Sequence, residues 1–109
     1  MKRPLTDETA TEIAARFRTL GDPLRLRLLE ALRGGPRSVG ELATMVGGNT
    51  ANVSKHLQLM LHQRFVDRTK SGVTVHYRIV DPQVFRLCEL VCDDLVRSLQ
   101  ARSRSLASR

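Results

Sequence analysis

A set of small polar residues lies at the start of one predicted helix, directly after the glycine pair Gly47-Gly48. Side chains of these types read base edges or hold phosphates: Asn pairs with adenine, Lys with guanine or phosphate, and an Ala methyl contacts thymine. The second helix of a helix-turn-helix reads the major groove mainly with its N-terminal residues. The pattern therefore predicts DNA contacts from Asn49, Thr50, Ala51, Asn52, Ser54, Lys55 and His56. The alternative is an ordinary solvated helix face, which in so basic a chain would carry more Lys, Arg and Glu.

Basic residues also cluster in a segment where apolar and polar residues alternate, as they do in a half-buried strand. Val73 and every second residue to Ile79 are predicted to lie on one face of a strand. A first strand is predicted over residues 65–70, and Ser71-Gly72 is predicted to form the hairpin turn between the two strands. Such a hairpin can lie along the phosphate backbone or enter the minor groove. The predicted contacts are Arg68, Lys70, Thr74, His76 and Arg78. The alternative is that these charges only protect exposed strand edges.

The two cysteines, Cys88 and Cys92, are four residues apart on a predicted helix. This spacing places both thiols on one face with Cβ atoms roughly 5–6 Å apart, which suits two thiolates that bridge one soft ion. It does not suit a disulfide, which requires Cβ atoms about 3.5–4.5 Å apart. Arsenite, another soft metal ion or a thiol oxidant are therefore candidate effectors. The alternative is that both cysteines only pack, because buried Cys behaves as a small hydrophobe.

The elements that position these residues are mostly helical. Apolar residues at helical spacing predict a first helix over residues 8–20 and a last helix over 82–100, with a frayed tail over 101–109. Between them, Asp22 and Asn49 are predicted caps of two further helices, and Ser38 with Glu41 forms a capping box.

Two short helices joined by a tight glycine turn are typical of a helix-turn-helix. With the basic hairpin and the last helix, the predicted element order is α-α-α-α-β-β-α. We therefore expect a mainly α protein with a β-hairpin wing, that is, an α+β winged helix-turn-helix.

Length and charge agree with this interpretation. The 109 residues are predicted to form a single domain over 1–109. The formal net charge is +7, from 18 Lys and Arg against 11 Asp and Glu, which favours a polyanionic partner, although it could serve solubility alone. No stretch approaches the roughly 18 apolar residues of a membrane span, and the polar start lacks the apolar core of a signal peptide. We therefore expect a cytoplasmic protein with no membrane partner.

No catalytic pattern stands out. The sequence has no phosphate-binding glycine loop, no nucleophile elbow and no paired carboxylates in a plausible pocket. Asp93 and Asp94 are neighbours on a predicted helix, so their side chains point about 100° apart rather than forming a dyad. We expect a protein that is not an enzyme and that binds double-stranded DNA. A winged-helix module for protein contacts is the alternative.

The stretches that carry these features resemble the ArsR/SmtB family of transcriptional regulators. Residues 20–29 are similar to the opening of the family's second helix, and residues 38–43, 52–57 and 75–79 match its later motifs. The resemblance covers about residues 10–97. It implies a homodimeric winged helix that binds operator DNA, usually as a repressor, and that is often released from DNA by a metal ion, a metalloid or a thiol oxidant.

The metal sites of this family lack some of their ligands in this chain. One family site is similar to a Cys-Val-Cys pair at the start of the third helix, where this chain has Ser38-Val39-Gly40. A second site has an Asp, two His and a Glu across the last helices. The corresponding positions here are Asp81, Gln83, Asp94 and Arg97, and Arg is not a metal ligand. The resemblance therefore leaves Cys88 and Cys92 as the remaining candidate ligands.

In this family the last helix packs against its mate in the dimer, and the last predicted helix here has an apolar seam with steps of three and four residues. A seam of this kind is costly to leave in water. If two copies of this helix pair, four thiols could lie close together, and three thiolates suit arsenite. The predicted interface consists of Phe17, Val84, Phe85, Leu87, Cys88, Val91, Cys92, Leu95 and Leu99.

Overall fold

The computed structural model describes residues 3–107, which form five helices and three strands. The predicted order of the helices and the hairpin is confirmed, as is the winged helix-turn-helix class. One strand, β1, was not predicted, because two residues are too few to show an alternating pattern. In chain order the elements are α1 (Asp7–Leu20), α2 (Pro23–Leu32), β1 (Arg37–Ser38), α3 (Val39–Val46), α4 (Thr50–His62), β2 (Val66–Ser71), β3 (Thr74–Ile79) and α5 (Gln83–Ala107).

Polar side chains cap the helices at the predicted positions. The Asp22 carboxylate accepts a hydrogen bond from the Arg25 backbone N–H at 3.1 Å at the start of α2. At α3 the capping box is confirmed: the Glu41 N–H donates to Ser38 Oγ at 3.1 Å, and the Ser38 N–H donates to Glu41 Oε1 at 3.0 Å. The bond from the Ser38 N–H, followed by the bond from its hydroxyl, lowers the pKa of Glu41.

The Asp22 cap predicts a pH dependence of folding. The hydrogen bond from the Arg25 N–H, and then the Arg25 charge, lower the pKa of the Asp22 carboxyl. The resulting stability is present above the unfolded-state pKa of about 3.9 and is lost as the pH falls through the lower folded-state value. Asp22→Asn keeps a capping oxygen, so we expect it to flatten the acid limb of the unfolding free energy with little change at neutral pH. Urea unfolding from neutral to acid pH tests this, and an equally steep limb in the variant would assign the pH dependence to other carboxyls.

Helices α2, α3 and α4 pack around one core that the sheet closes. Val53, Leu57 and Met60 of α4 are fully buried, whereas Leu61 only packs against the edge of the core. Because each large apolar side chain contributes about 1.5–3 kcal/mol on burial, α4 is held with its other face toward solvent. The buried hydrophobic residues are Leu28, Leu29, Leu32, Leu42, Ala43, Val53, Leu57, Met60, Val66 and Tyr77.

A glycine pair sets the connection between α3 and α4. Gly47 ends α3 in the left-handed region with φ 67°, and its N–H donates to the carbonyls of Ala43 and Thr44. A Cβ at Gly48 would lie 3.3 Å from Val53 Cγ2, so a side chain there would press on the core end of α4. The pair therefore allows the two helices to approach closely.

Strand β3 lies between β1 and β2 in an antiparallel sheet of order β1-β3-β2. The predicted position of Val73 on the apolar strand face is wrong. Ser71 pairs with Thr74, so the chain reverses at Gly72-Val73, one residue later than predicted, and Val73 is 97% exposed in the turn. Gly72 has φ 63°, a conformation that favours glycine.

Helix α5 is 25 residues long and continues through Ala107. This corrects the expected fraying over residues 101–107; positions 108 and 109 lie outside the described residues. No Gly or Pro interrupts α5, and its terminal Ala, Leu, Gln and Arg residues favour helix. The Cα radius of gyration is 17.1 Å, above the roughly 13 Å of a compact 100-residue domain, in keeping with a long helix that extends from the body.

Among the described helices, none combines the length and the hydropathy that spanning a bilayer requires.

Candidate nucleic-acid interface

The N-terminal half of α4 presents small polar residues to solvent, while its apolar residues face the core. Thr50, Ala51, Asn52 and Lys55 are exposed, whereas Ser54 is half-buried. The buried residues of α4 fix this orientation, because turning the helix would bring them into water. The exposed set therefore lies where a helix entering the major groove would meet base edges.

Two of the predicted contact residues have partners on their own helix. The Asn49 Oδ1 accepts the Asn52 backbone N–H at 2.8 Å, so this oxygen serves as the cap of α4. The Ser54 Oγ accepts a hydrogen bond from Gln58 Nε2 at 3.4 Å. Both side chains therefore bring fewer hydrogen-bonding groups to DNA than the sequence suggested.

His56 is half-buried and faces the body of the protein. Its Nδ1 lies 3.1 Å from Nη1 of Arg25, a residue of α2. Because a guanidinium can only donate, Nδ1 of His56 is the acceptor of this hydrogen bond and carries no proton. Sequence reasoning missed Arg25, whose position among the leucines of α2 gave no sign that it reaches α4.

The register of the wing divides its predicted contacts between two faces. Directly paired residues of an antiparallel sheet share a face. Arg68 pairs with Tyr77 and Lys70 with Val75, so both cations extend from the face that carries the core residue Tyr77. The opposite face carries Thr74, His76 and Arg78.

The wing cations also differ in their partners. Arg78 Nη2 donates to Asp67 Oδ2 at 3.1 Å, an exposed ion pair across the two strands. Within residues 3–107, Arg68 and Lys70 form no ion pair within 4.0 Å. His76 is half-buried, and the other predicted wing contacts are exposed. Arg68 and Lys70 are therefore the wing cations best placed to attract phosphates.

Lys70→Ala is expected to weaken binding to every DNA sequence alike, because a phosphate contact is independent of sequence. The slope of log affinity against log salt should become shallower by about 1. Fluorescence anisotropy at several salt concentrations measures both effects. Arg97→Ala, which removes an exposed cation from α5, is the matched control. A slope that does not change in Lys70→Ala would contradict a phosphate contact.

The two cysteines line a groove of about 600 Å³ bounded by α1, α2 and α5. Cys88 is half-buried, Cys92 is exposed, and both are free thiols. Burial raises the pKa of Cys88, which reduces its thiolate fraction. Across the groove, Arg33 donates to Glu89 Oε1 at 2.7 Å, and its guanidinium lies 4.5 Å from the centre of the Phe85 ring, which ties α2 to α5.

Comparison with known proteins identifies the family. A helix-turn-helix domain model matches residues 20–69, from the end of α1 into β2. The chain is 34% identical to the transcriptional repressor SmtB homolog of Synechocystis sp., over 84% of this chain and 69% of that protein. The chain belongs to the ArsR/SmtB family. It is also 34% identical to the transcriptional regulator KmtR of Mycobacterium tuberculosis, over 77% of this chain but 65% of KmtR.

Two solved structures agree with this ArsR/SmtB fold. The antimony-specific transcriptional repressor AntR superposes with a TM-score of 0.75 and 38% identity, over 92% of each chain. The homodimeric winged helix-turn-helix DNA-binding domain Mb0332 of Mycobacterium bovis gives a TM-score of 0.75 and 29% identity, over 93% of this chain and 95% of that one. This ArsR/SmtB protein is a DNA-binding transcriptional regulator.

The positions of the family metal sites have other roles in this ArsR/SmtB regulator. Ser38 caps α3, and the Asp81 carboxylate accepts the Gln83 backbone N–H at 2.9 Å at the start of α5. In the part of the chain that the structure describes, no three His, Cys, Asp or Glu side chains come close enough to hold a metal ion.

Proposed function

We propose that this regulator acts as a homodimeric repressor that binds an inverted-repeat operator in double-stranded DNA. The observation that carries the proposal is the orientation of α4, the recognition helix: its apolar side is locked in the core, and Thr50, Ala51, Asn52 and Lys55 face solvent. In a two-fold symmetric dimer, two such helices enter successive major grooves about one helical turn apart.

The apolar surface of α5 supports the dimer. Val91, Leu95 and Leu99 are 65%, 52% and 49% exposed, and they continue one face of the helix with Cys92. Phe17 of α1 is 55% exposed beside them and lines the same groove. A contiguous apolar surface of this kind is typical of an interface, and Mb0332, with the same fold, is a homodimer.

The test is binding to DNA from the regulator's own promoter. We expect tight binding that falls steeply with salt, because phosphate contacts release counterions. We also expect two copies of the chain for each site and protection of an inverted repeat. Binding of a single copy to a site without symmetry would contradict the dimeric mode, and weak binding that does not depend on salt would favour a module for protein contacts.

We propose in addition that a soft metalloid releases the protein from DNA through Cys88 and Cys92. The two thiols share one face of α5 within an open groove, and AntR, which is 38% identical, is an antimony-specific repressor. Trivalent arsenic favours three thiolates, and one chain supplies two. The α5 seam of a second copy would supply the others. Burial raises the pKa of Cys88, so an ion that binds this sulfur must displace a proton.

Arsenite added to the reduced protein on fluorescent promoter DNA tests this second proposal. We expect the anisotropy to fall, and Cys88→Ser and Cys92→Ser each to abolish the response while binding DNA normally. Ser98→Ala, a polar change on the same helix, is the control. Release by a peroxide but not by arsenite would indicate an oxidant sensor. Release by neither would indicate that the cysteines only pack.

A further inference from the structure

The Arg25 guanidinium joins three helices. Its Nε–H donates to the Thr19 carbonyl at 2.6 Å and Nη2 to the Arg18 carbonyl at 3.2 Å, both in the last turn of α1. Its Nη1 donates to Nδ1 of His56 in α4 at 3.1 Å. Arg25 itself lies in the first turn of α2 and is half-buried. A single side chain therefore fixes the end of α1, the start of α2 and the middle of α4 relative to one another.

The chemistry of the three partners makes this link specific. The last carbonyls of a helix lack partners within the helix and carry its partial negative charge, so a cation with several donors suits the end of α1. A guanidinium donates in a planar fork, which a lysine ammonium does not reproduce. With Nδ1 accepting from Arg25, the ring proton of neutral His56 is on Nε2, and the ring orientation is set.

We propose that Arg25 and His56 are a positioning pair that holds the recognition helix α4 at the angle required to read the operator. The proposal rests on DNA binding by α4 and assigns His56 a role through Arg25 rather than through a base. The pair also connects α4 to α1 next to the groove of Cys88 and Cys92, since Phe17, Leu20 and Gly21 of that groove flank Arg18 and Thr19.

Two substitutions of His56 separate positioning from base contact. The Asn Oδ1 is bonded to Cγ, as Nδ1 is in His, so His56→Asn can still accept from Arg25. The Gln amide extends to the distance of Nε2, so His56→Gln loses the acceptor but keeps a polar group toward DNA. Gln favours helix more than His or Asn does, so a loss in His56→Gln is not a loss of helix propensity.

Anisotropy of the full-length protein on promoter DNA is the measurement. We expect His56→Gln to weaken operator binding about tenfold and His56→Asn by less than about threefold. Arg25→Lys should lose at least as much as His56→Gln, because it also loses donors to the end of α1. The double variant should lose no more than Arg25→Lys, because both variants remove the contact to Nδ1 of His56. His62→Gln, at the exposed end of the same helix, is the control. Thermal unfolding verifies that each variant is folded.

Three results would overturn the proposal. A better affinity of His56→Gln than of His56→Asn would assign His56 to a base or phosphate contact through Nε2. Additive losses in the double variant would show that Arg25 and His56 act independently. Absence of salt-dependent DNA binding by the wild-type protein would remove the proposed function together with the positioning role, whereas the first two results leave the proposed function intact.

Discussion

Asn52→Ala is expected to lower the preference for the operator over unrelated DNA by about 1–3 kcal/mol, a loss of roughly five- to 150-fold. Asn52 is exposed in the first turn of α4, and its backbone N–H, not its side chain, serves the Asn49 cap. The side-chain amide of Asn52 is therefore available for a bidentate contact to adenine. Binding to unrelated DNA should change little, because it depends on phosphate contacts.

Ser54→Ala should have a smaller effect than Asn52→Ala. Ser54 is half-buried, and its hydroxyl already accepts from Gln58, so one of its hydrogen-bonding positions is occupied within the helix. The double variant should lose close to the sum of the two single losses if the residues contact different bases.

Competition between operator and scrambled DNA measures the preference. Lys55→Ala is the matched comparison, because Lys55 is an exposed residue of the same two turns whose charge suits a phosphate. That variant should lose affinity for both DNAs and keep their ratio. If Asn52→Ala instead weakens both DNAs equally, Asn52 holds the backbone and the base contact lies elsewhere on α4.

Local signals in the sequence were sufficient to predict the frame of the protein. Asp22, Ser38 and Asn49 act as caps within three residues of their partners, so their geometry is encoded by short stretches of chain. The apolar side of α4 follows from spacing alone, and that spacing also predicts which side remains for DNA.

Features that depend on tertiary approach were not predictable in this way. The Arg25–His56 contact joins residues 31 positions apart, and β1 forms only because β3 lies beside it. The turn of the wing lies one residue later than predicted, which places Val73 in solvent rather than on a strand face.

Leu95→Glu is expected to give a folded monomer at concentrations where the wild-type chain is a dimer. Leu95 is 52% exposed on the isolated chain, so a carboxylate there remains hydrated and the fold tolerates it. In the proposed dimer the same carboxylate would lie between apolar faces of two α5 helices. Burial of an unpaired charge costs at least about 3 kcal/mol, which weakens dimerisation more than a hundredfold.

Operator affinity should fall with the dimer. Two recognition helices on one rigid body bind the second half-site at a high effective concentration, and a monomer loses that advantage. Sedimentation and DNA anisotropy on the same samples measure the two effects together. Ala101→Glu is the matched control: it makes the same charge change, but lies six residues after Leu95 and so about 120° around α5 from it.

Comparing Leu95→Glu with Ala101→Glu distinguishes loss of the dimer interface from repulsion between the added charge and DNA. If Leu95→Glu and Ala101→Glu weaken DNA binding equally and both remain dimers, the added negative charge alone repels DNA, and the dimer contact lies outside the α5 seam. If only Leu95→Glu dissociates, the seam that holds Cys88 and Cys92 is also the contact between subunits. A ligand bound by those thiols would then act on the spacing of the two recognition helices, because the ligand site and that spacing depend on the same pair of α5 helices.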